Sequence, residues 1–173
     1  MRFAVFDALQ RIYSKWPTES PKIVEKLLAI SFGPKRGGFE IESRSVEGVD
    51  IGLVRPDEKY AVEVKTTSGR YVILQEKDVE GLADKARKDG YLRCVAVLRL
   101  DLLEEWVIAD ASRLSAGDYT TVRLSLDSIP TLEAIARVHF ERTFLELFER
   151  VLDPAGSSPL KFLAGILAKE SQP

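Results

Sequence analysis

Residues 48–65 read GVDIGLVRPDEKYAVEVK, and the fold turns on how this stretch pairs with itself. Residues 49–54 and 60–65 are two apolar-rich runs, and between them, ahead of Lys59, stands Arg55-Pro56-Asp57-Glu58. Those four residues are turn chemistry, with Pro56 supplying the fixed φ that a type I turn wants at its second position. Two such runs about a turn fold back as a β-hairpin. Pairing about the centre brings Asp50 opposite Glu63. Strand side chains alternate, so Glu63 and Lys65 share one face while Val62 and Val64 point to the other.

Two carboxylates and an ammonium thus converge on one side of a mostly apolar hairpin. Like charges opposite one another destabilise a sheet, and buried carboxylates are costly unless paired or bound to metal. A hard divalent cation relieves both problems, because Mg²⁺ takes oxygen ligands from one or two carboxylates together with substrate phosphate. A lysine beside such a site can stabilise charge on a reacting phosphate or orient a water. The chemistry suggested is metal-assisted phosphodiester hydrolysis. The competing reading makes Glu63 and Lys65 the solvated face of an edge strand, with Asp50 at a strand start.

Asp50, twelve residues, then Glu63-Val64-Lys65 resembles the D…ExK core of the PD-(D/E)xK nuclease superfamily. The context resembles its archaeal Holliday junction resolvase branch: an amphipathic helix carrying a Glu, a Gly-Phe strand, Gly-x-Asp, Glu-x-Lys-Thr, then a helix and a further strand. The resemblance covers residues 21–108. The spacing alone is a weak signal, and the hairpin, Glu helix and helix–strand unit add specificity. The resemblance implies a Mg²⁺ site, with Mn²⁺ substituting, held by Asp50, Glu63 and the Val64 carbonyl. By the same resemblance Glu25 would be the additional helix carboxylate, and Lys65 would stabilise the scissile phosphate or position the attacking water. It also implies DNA as partner, branched DNA included, and a homodimer with two sites.

At 173 residues the chain is one domain, or one domain with an extension. No apolar run reaches the roughly eighteen residues of a membrane helix. The N-terminus carries Asp7, Arg11 and Lys15 at helical spacing and does not read as a signal peptide. One cysteine, Cys94, excludes a disulfide framework and a zinc cluster. The reading is intracellular. With no Asn and three Gln beside abundant Glu, Lys and Arg, composition leans towards a thermophilic source. Net charge is −2. Residues 1–100 hold 18 Lys/Arg against 15 Asp/Glu, and residues 101–173 hold 7 against 12. That balance departs from the basic surface expected of a junction binder.

Residues 2–15 read as a helix with a stripe of Phe3, Phe6, Leu9, Gln10, Tyr13 and Trp16. Ser20-Pro21 opens a second helix, Ser20 as cap and Pro21 at the first position, running to Phe32. Glu25 shares its face with Leu28, Ala29 and Phe32. It reads either as a partly exposed acid near the helix start or as a ligand. Residues 33–38 form a basic loop in which Lys35 and Arg36 are candidates for DNA backbone contact, an ordinary solvated turn being the alternative. Residues 39–43 alternate as a strand. Arg44 and Ser45, just before Asp50, are candidates for phosphate contact by the resemblance. Arg70 in the turn after Lys65, and Lys77 near the start of a helix from residue 75 or 76 to 88, complete the DNA-binding candidates. Gln75 is a supporting polar residue at that helix start.

Residues 71–74 are a short apolar run. Residues 91–100 read as a sheet-interior strand holding a buried, structural Cys94. Residues 106–109 are a further strand, and residues 121–126 another. Pro130 opens a long apolar helix to residue 152, in which His139 reads as a packing or surface residue. Residues 160–169 form a helix too short to stand alone, which must dock on its own domain, a second subunit or another protein.

The expected architecture is α/β (α+β): a restriction-endonuclease-like core with a mixed central β-sheet flanked by helices over residues 1–128, and a C-terminal helical extension over 129–173. The favoured function is a Mg²⁺-dependent DNA endonuclease acting on branched DNA such as Holliday junctions. The alternatives are a restriction- or repair-type nuclease with another DNA substrate, and a non-catalytic nuclease-like module that binds DNA or a protein through its C-terminal helices.

Overall fold

The hairpin forms, with strands one or two residues longer towards the turn than the apolar runs. In the computed structural model, which describes residues 2–42, 49–100, 105–154 and 156–170, β2 (Ile51–Arg55) pairs antiparallel with β3 (Glu58–Thr67). Arg55 faces Glu58 across the Pro56-Asp57 turn, and Ile51 faces Val62. One further step along that register sets Asp50 against Glu63. β1 (Glu40–Glu42) adds to the free edge of β2, antiparallel. On the other side β3 takes β5 (Leu92–Arg99) in parallel, and β6 (Val107–Asp110) closes the sheet antiparallel to β5. The order is β1-β2-β3-β5-β6, a mixed sheet.

A parallel pair needs a crossover. Here it is β4 (Tyr71–Leu74) followed by α3 (Glu76–Asp89), which ends on Gly90 in the left-handed region at φ 72°. β4 does not join the main sheet. It pairs antiparallel with β7 (Gly117–Thr120) in a separate two-stranded ribbon.

Alternation along the central strands divides the interior into two layers. Tyr60, Val62, Cys94, Ala96 and Leu98 face a core shared with α1 (Phe3–Lys15), α2 (Ser20–Phe32), α5 (Pro130–Leu152) and α6 (Pro159–Glu170). Ala61, Val95 and Val97 face the other way, towards Leu82 of α3 and Val72 and Leu74 of β4. Because both faces of β5 are covered, its sequence is apolar at nearly every position. Glu63 and Lys65 share the parity of Ala61 and so lie on the α3 side. The helices α5 and α6 contribute Phe140, Phe144, Val151 and Leu163 to the same core as the sheet. The apolar side of α6 is therefore covered by its own chain, largely by α2.

Local expectations failed in three places. Residues 121–126 are not a strand: after β7 the chain turns into α4 (Thr121–Ser125), because the Thr120 hydroxyl accepts the Arg123 N–H at 3.1 Å and caps the turn. The α1 stripe is rotated. Val5, Ala8, Leu9 and Ile12 are buried while Phe3 is 71% exposed, since packing against α5 decides the inner face. Ser20 lies inside α2 and its hydroxyl bonds the Pro17 carbonyl, so it is not the cap.

Candidate active site

Three elements meet at the open end of the hairpin. α2 contributes Pro21, Lys22 and Glu25. The hairpin contributes Val49, Asp50 and Glu63 to Thr66, and α3 contributes Lys77 and Asp78. Together they line a cleft of about 450 Å³. Glu63 faces Val95 across the parallel ladder, well inside the sheet, and is 6% exposed. Glu25 is 7% and Asp78 5% exposed.

The polar groups form two linked clusters. In the first, the Asp50 Oδ2 accepts the Val64 N–H at 2.9 Å, which ties the start of β2 to β3. Asp50 Oδ1 accepts from Lys22 Nζ at 2.8 Å, and the same ammonium donates to Glu25 Oε2 at 2.5 Å. In the second, Lys65 Nζ lies 2.8 Å from Glu63 Oε1 and 2.6 Å from Asp78 Oδ2. Asp78 Oδ2 also accepts the Gln75 N–H at 2.9 Å, so the start of α3 holds the carboxylate in place.

The energetics follow from burial and like charge. Burial pushes the Glu63 carboxyl up to about 7, and the Asp50 charge adds to this against the opposing Lys65 contact. Burial and Asp50 likewise push Glu25 up to about 7, with Lys22 opposing. For Lys65, burial disfavours the charge, but the hydrogen bonds to Asp78 and Glu63 outweigh it and hold the pKa above the ordinary lysine value. Burial works against the Asp78 charge, and the Lys65 and Gln75 hydrogen bonds overcome it, lowering that pKa.

Asp50, Glu63, Val64, Lys65 and Glu25 are thus gathered in one cleft, as are the charges of Lys77 and the unforeseen Lys22 and Asp78. The other candidates are elsewhere. Arg36 lies past the far end of α2, with ion pairs to Glu170 at 2.5 Å and Glu146 at 3.3 Å, and Lys35 stands exposed beside it. Arg70 is on the exposed turn beyond β3, its guanidinium 5.6 Å from the Tyr71 ring centre. Gln75 caps α3 and reaches the cleft only through its backbone bond to Asp78. Arg44 and Ser45 lie outside the described residues. Lys22 had a sequence signal, standing three residues before Glu25 on the same helix. Asp78 carried only the sign of an acid in a helix's first turn, which the helix dipole accounts for without any site.

The donor set suits a hard cation. Glu25, Asp50 and Glu63 offer carboxylate oxygens, and two of these groups resist ionisation because negative charge is crowded and desolvated there. A divalent ion removes that strain. As the side chains stand, however, no three acidic, His or Cys groups among the described residues enclose an ion-sized space. Lys22 and Lys65 lie between the carboxylates.

The site is therefore a carboxylate–lysine cleft at the end of a mixed sheet. No protein-family model matches the chain, and no curated protein matches it. Among solved structures it is similar to Hjc, a Holliday junction resolvase of the archaeal hyperthermophile Archaeoglobus fulgidus. The TM-score is 0.46 at 19% identity, covering 56% of this chain and 83% of that one. No helix among the described residues is long and apolar enough to cross a membrane.

Proposed function

We propose that this chain is a divalent-metal-dependent DNA endonuclease that acts as a homodimer on branched DNA such as a four-way junction. The observation that supports this is the convergence of Asp50, Glu63 and Lys65 with Glu25 in one cleft, at a register that a merely solvated strand face would not need. A buried Glu63 opposite Asp50 is unfavourable for the fold. A site that uses the charge explains its presence.

Asp50, Glu63 and the Val64 carbonyl, with Glu25, would hold Mg²⁺ or Mn²⁺. Bound there, the ion supplies Lewis acidity against a phosphodiester and lowers the pKa of a water. The chain's own groups do the rest. Val64 N–H fixes the Asp50 carboxylate. Glu63 and Asp78 hold the Lys65 ammonium in one position, from which it can donate to a phosphate oxygen as a charge-assisted hydrogen bond. Lys77 on the cleft wall and Arg70 on the turn beyond β3 are the proposed contacts to DNA backbone, which position the duplex without reading sequence. Arg36, engaged by two carboxylates, is not among them.

The test is cleavage of a labelled four-way junction beside its linear arms, with and without Mg²⁺, by wild type and Glu63→Ala. Metal-dependent, junction-selective cutting that disappears in the variant is expected. Cutting of every DNA alike would keep the nuclease and remove the junction. No cutting with Mg²⁺ or Mn²⁺, despite junction binding, would overturn the reading in favour of a binding module.

A further inference from the structure

Both oxygens of Asp50 are engaged: Oδ2 by the Val64 N–H and Oδ1 by Lys22. Lys22 Nζ also donates to Glu25 Oε2. One ammonium therefore bridges the two carboxylates that face each other across the cleft between α2 and β2. We infer that Lys22 is the resident cation of the site: its ammonium occupies the seat between Glu25 and Asp50 that a divalent metal takes, and it withdraws when the metal binds. This rests on the metal-dependent reading above and adds a residue that sets the affinity of that site.

Local helix energetics give Lys22 little reason to be there. It lies in the first turn of α2, where the helix dipole disfavours a cation. A Lys three residues ahead of its Glu is also the weaker orientation of a helical ion pair. Its position makes sense through Asp50, which comes from a different element. The two oxygens it holds stand 2.5 and 2.8 Å from one nitrogen, so they are already drawn towards a common point.

Lys22 can leave where Lys65 cannot. Its side chain is 51% exposed against 21% for Lys65, and it rides on a flexible stem at the cleft mouth. Lys65 is held in the sheet interior by Glu63 and Asp78. Charge favours the exchange. Among the described residues, the four carboxylates of Glu25, Asp50, Glu63 and Asp78 pair with the ammoniums of Lys22 and Lys65, and even with Lys77 on the cleft wall negative charge exceeds positive when all are ionised. A divalent ion in place of Lys22 reduces the excess, and the released ammonium stays at the cleft mouth.

The experiment is calorimetric titration of Mn²⁺ into metal-free wild type, Lys22→Met and Asp50→Asn, with thermal melts of each. Lys22→Met should bind Mn²⁺ about tenfold more tightly than wild type, since two partly exposed charged contacts no longer compete. Metal-free, it should melt lower than wild type, with Mn²⁺ restoring the difference. A residue with only a structural role would not raise metal affinity. Asp50→Asn should lose binding. If wild type binds, Asp50→Asn does not, and Lys22→Met binds equally or more weakly, the resident-cation inference falls while the metal site stands. If neither wild type nor Lys22→Met binds Mn²⁺, both fall. Should Lys22→Met fail to fold, Lys22→Gln carries the same test.

Discussion

Replacing Glu63 with Gln should stabilise the metal-free protein at alkaline pH and leave it unchanged at acidic pH. The carboxyl moves from its ordinary 4.5 to about 7 in the folded chain, because it is buried and faces Asp50. Below pH 4.5 it is protonated in both folded and unfolded states, and its contribution to stability is fully present. Between 4.5 and 7 the unfolded chain gives up the proton while the folded chain keeps it. The folded state then binds more protons, so stability falls as pH rises. Above 7 the loss is complete. At about 1.4 kcal/mol for each tenfold step, it amounts to roughly 3 kcal/mol. Gln keeps the shape, keeps an acceptor for Lys65 and turns an amide towards Asp50. In EDTA at pH 8, Glu63→Gln should melt about 6–12 °C above wild type, at roughly 2–4 °C per kcal/mol for a chain of this size. At pH 5 most of the gap should close. The pH effects of other groups are common to both proteins and cancel in the difference. Thermal melts from pH 5 to 8 decide it: a variant less stable than wild type at pH 8, or a difference independent of pH, would refute the account of a buried, repelled carboxylate.

Three further outcomes test other parts of the structure. Asp78→Ala leaves Lys65 with Glu63 alone, so metal-dependent cleavage should slow by about 10–100-fold at saturating DNA, read in single turnover, with DNA affinity little changed. Leu163→Ala removes a fully buried side chain from α6 and should cost about 2–5 kcal/mol in urea unfolding, showing that the C-terminal helix is integral to the core. Thr120→Ala removes the hydroxyl that caps α4 and should cost about 1 kcal/mol by the same measurement, whereas Thr120→Ser should cost little.

The hairpin was legible because its causes are local. Pro56 and Asp57 fix the turn, the turn fixes the register, and the register alone sets Asp50 against Glu63. α3 was legible for the same reason, from its apolar spacing and from Gly90 at its end. Where a second element decides, local reading fails. Thr120-Thr121-Val122 suits a strand by β-branching, yet one hydroxyl at the end of β7 finds an N–H three residues on and starts a helical turn. The α1 stripe contains enough apolar residues for two faces, and α5 selects the one with Val5 and Ile12. The basic loop offered Arg36 to DNA or to solvent, and instead Glu146 and Glu170, more than a hundred residues away in the chain, engage it.

The two residues missed at the site share a physical reason. Each has a local feature that draws attention away from its distant partner. Asp78 is an acid in the first turn of a helix, where the dipole favours it. Lys22 is half of an ordinary helical pair with Glu25. Nothing in the local pattern reveals that Asp78 also reaches Lys65 on β3, or that Lys22 also reaches Asp50 ahead of β2. Yet the motif itself points to both, one through charge balance and the other through geometry. Asp50, Glu63 and Glu25 cannot share a desolvated cleft with Lys65 alone, so further positive charge must come from an element beside them. A buried Lys65 that serves Glu63 needs a second acceptor to fix its direction. The D…ExK spacing identifies which groups converge, and the burial those groups require implies the partners that the spacing leaves out.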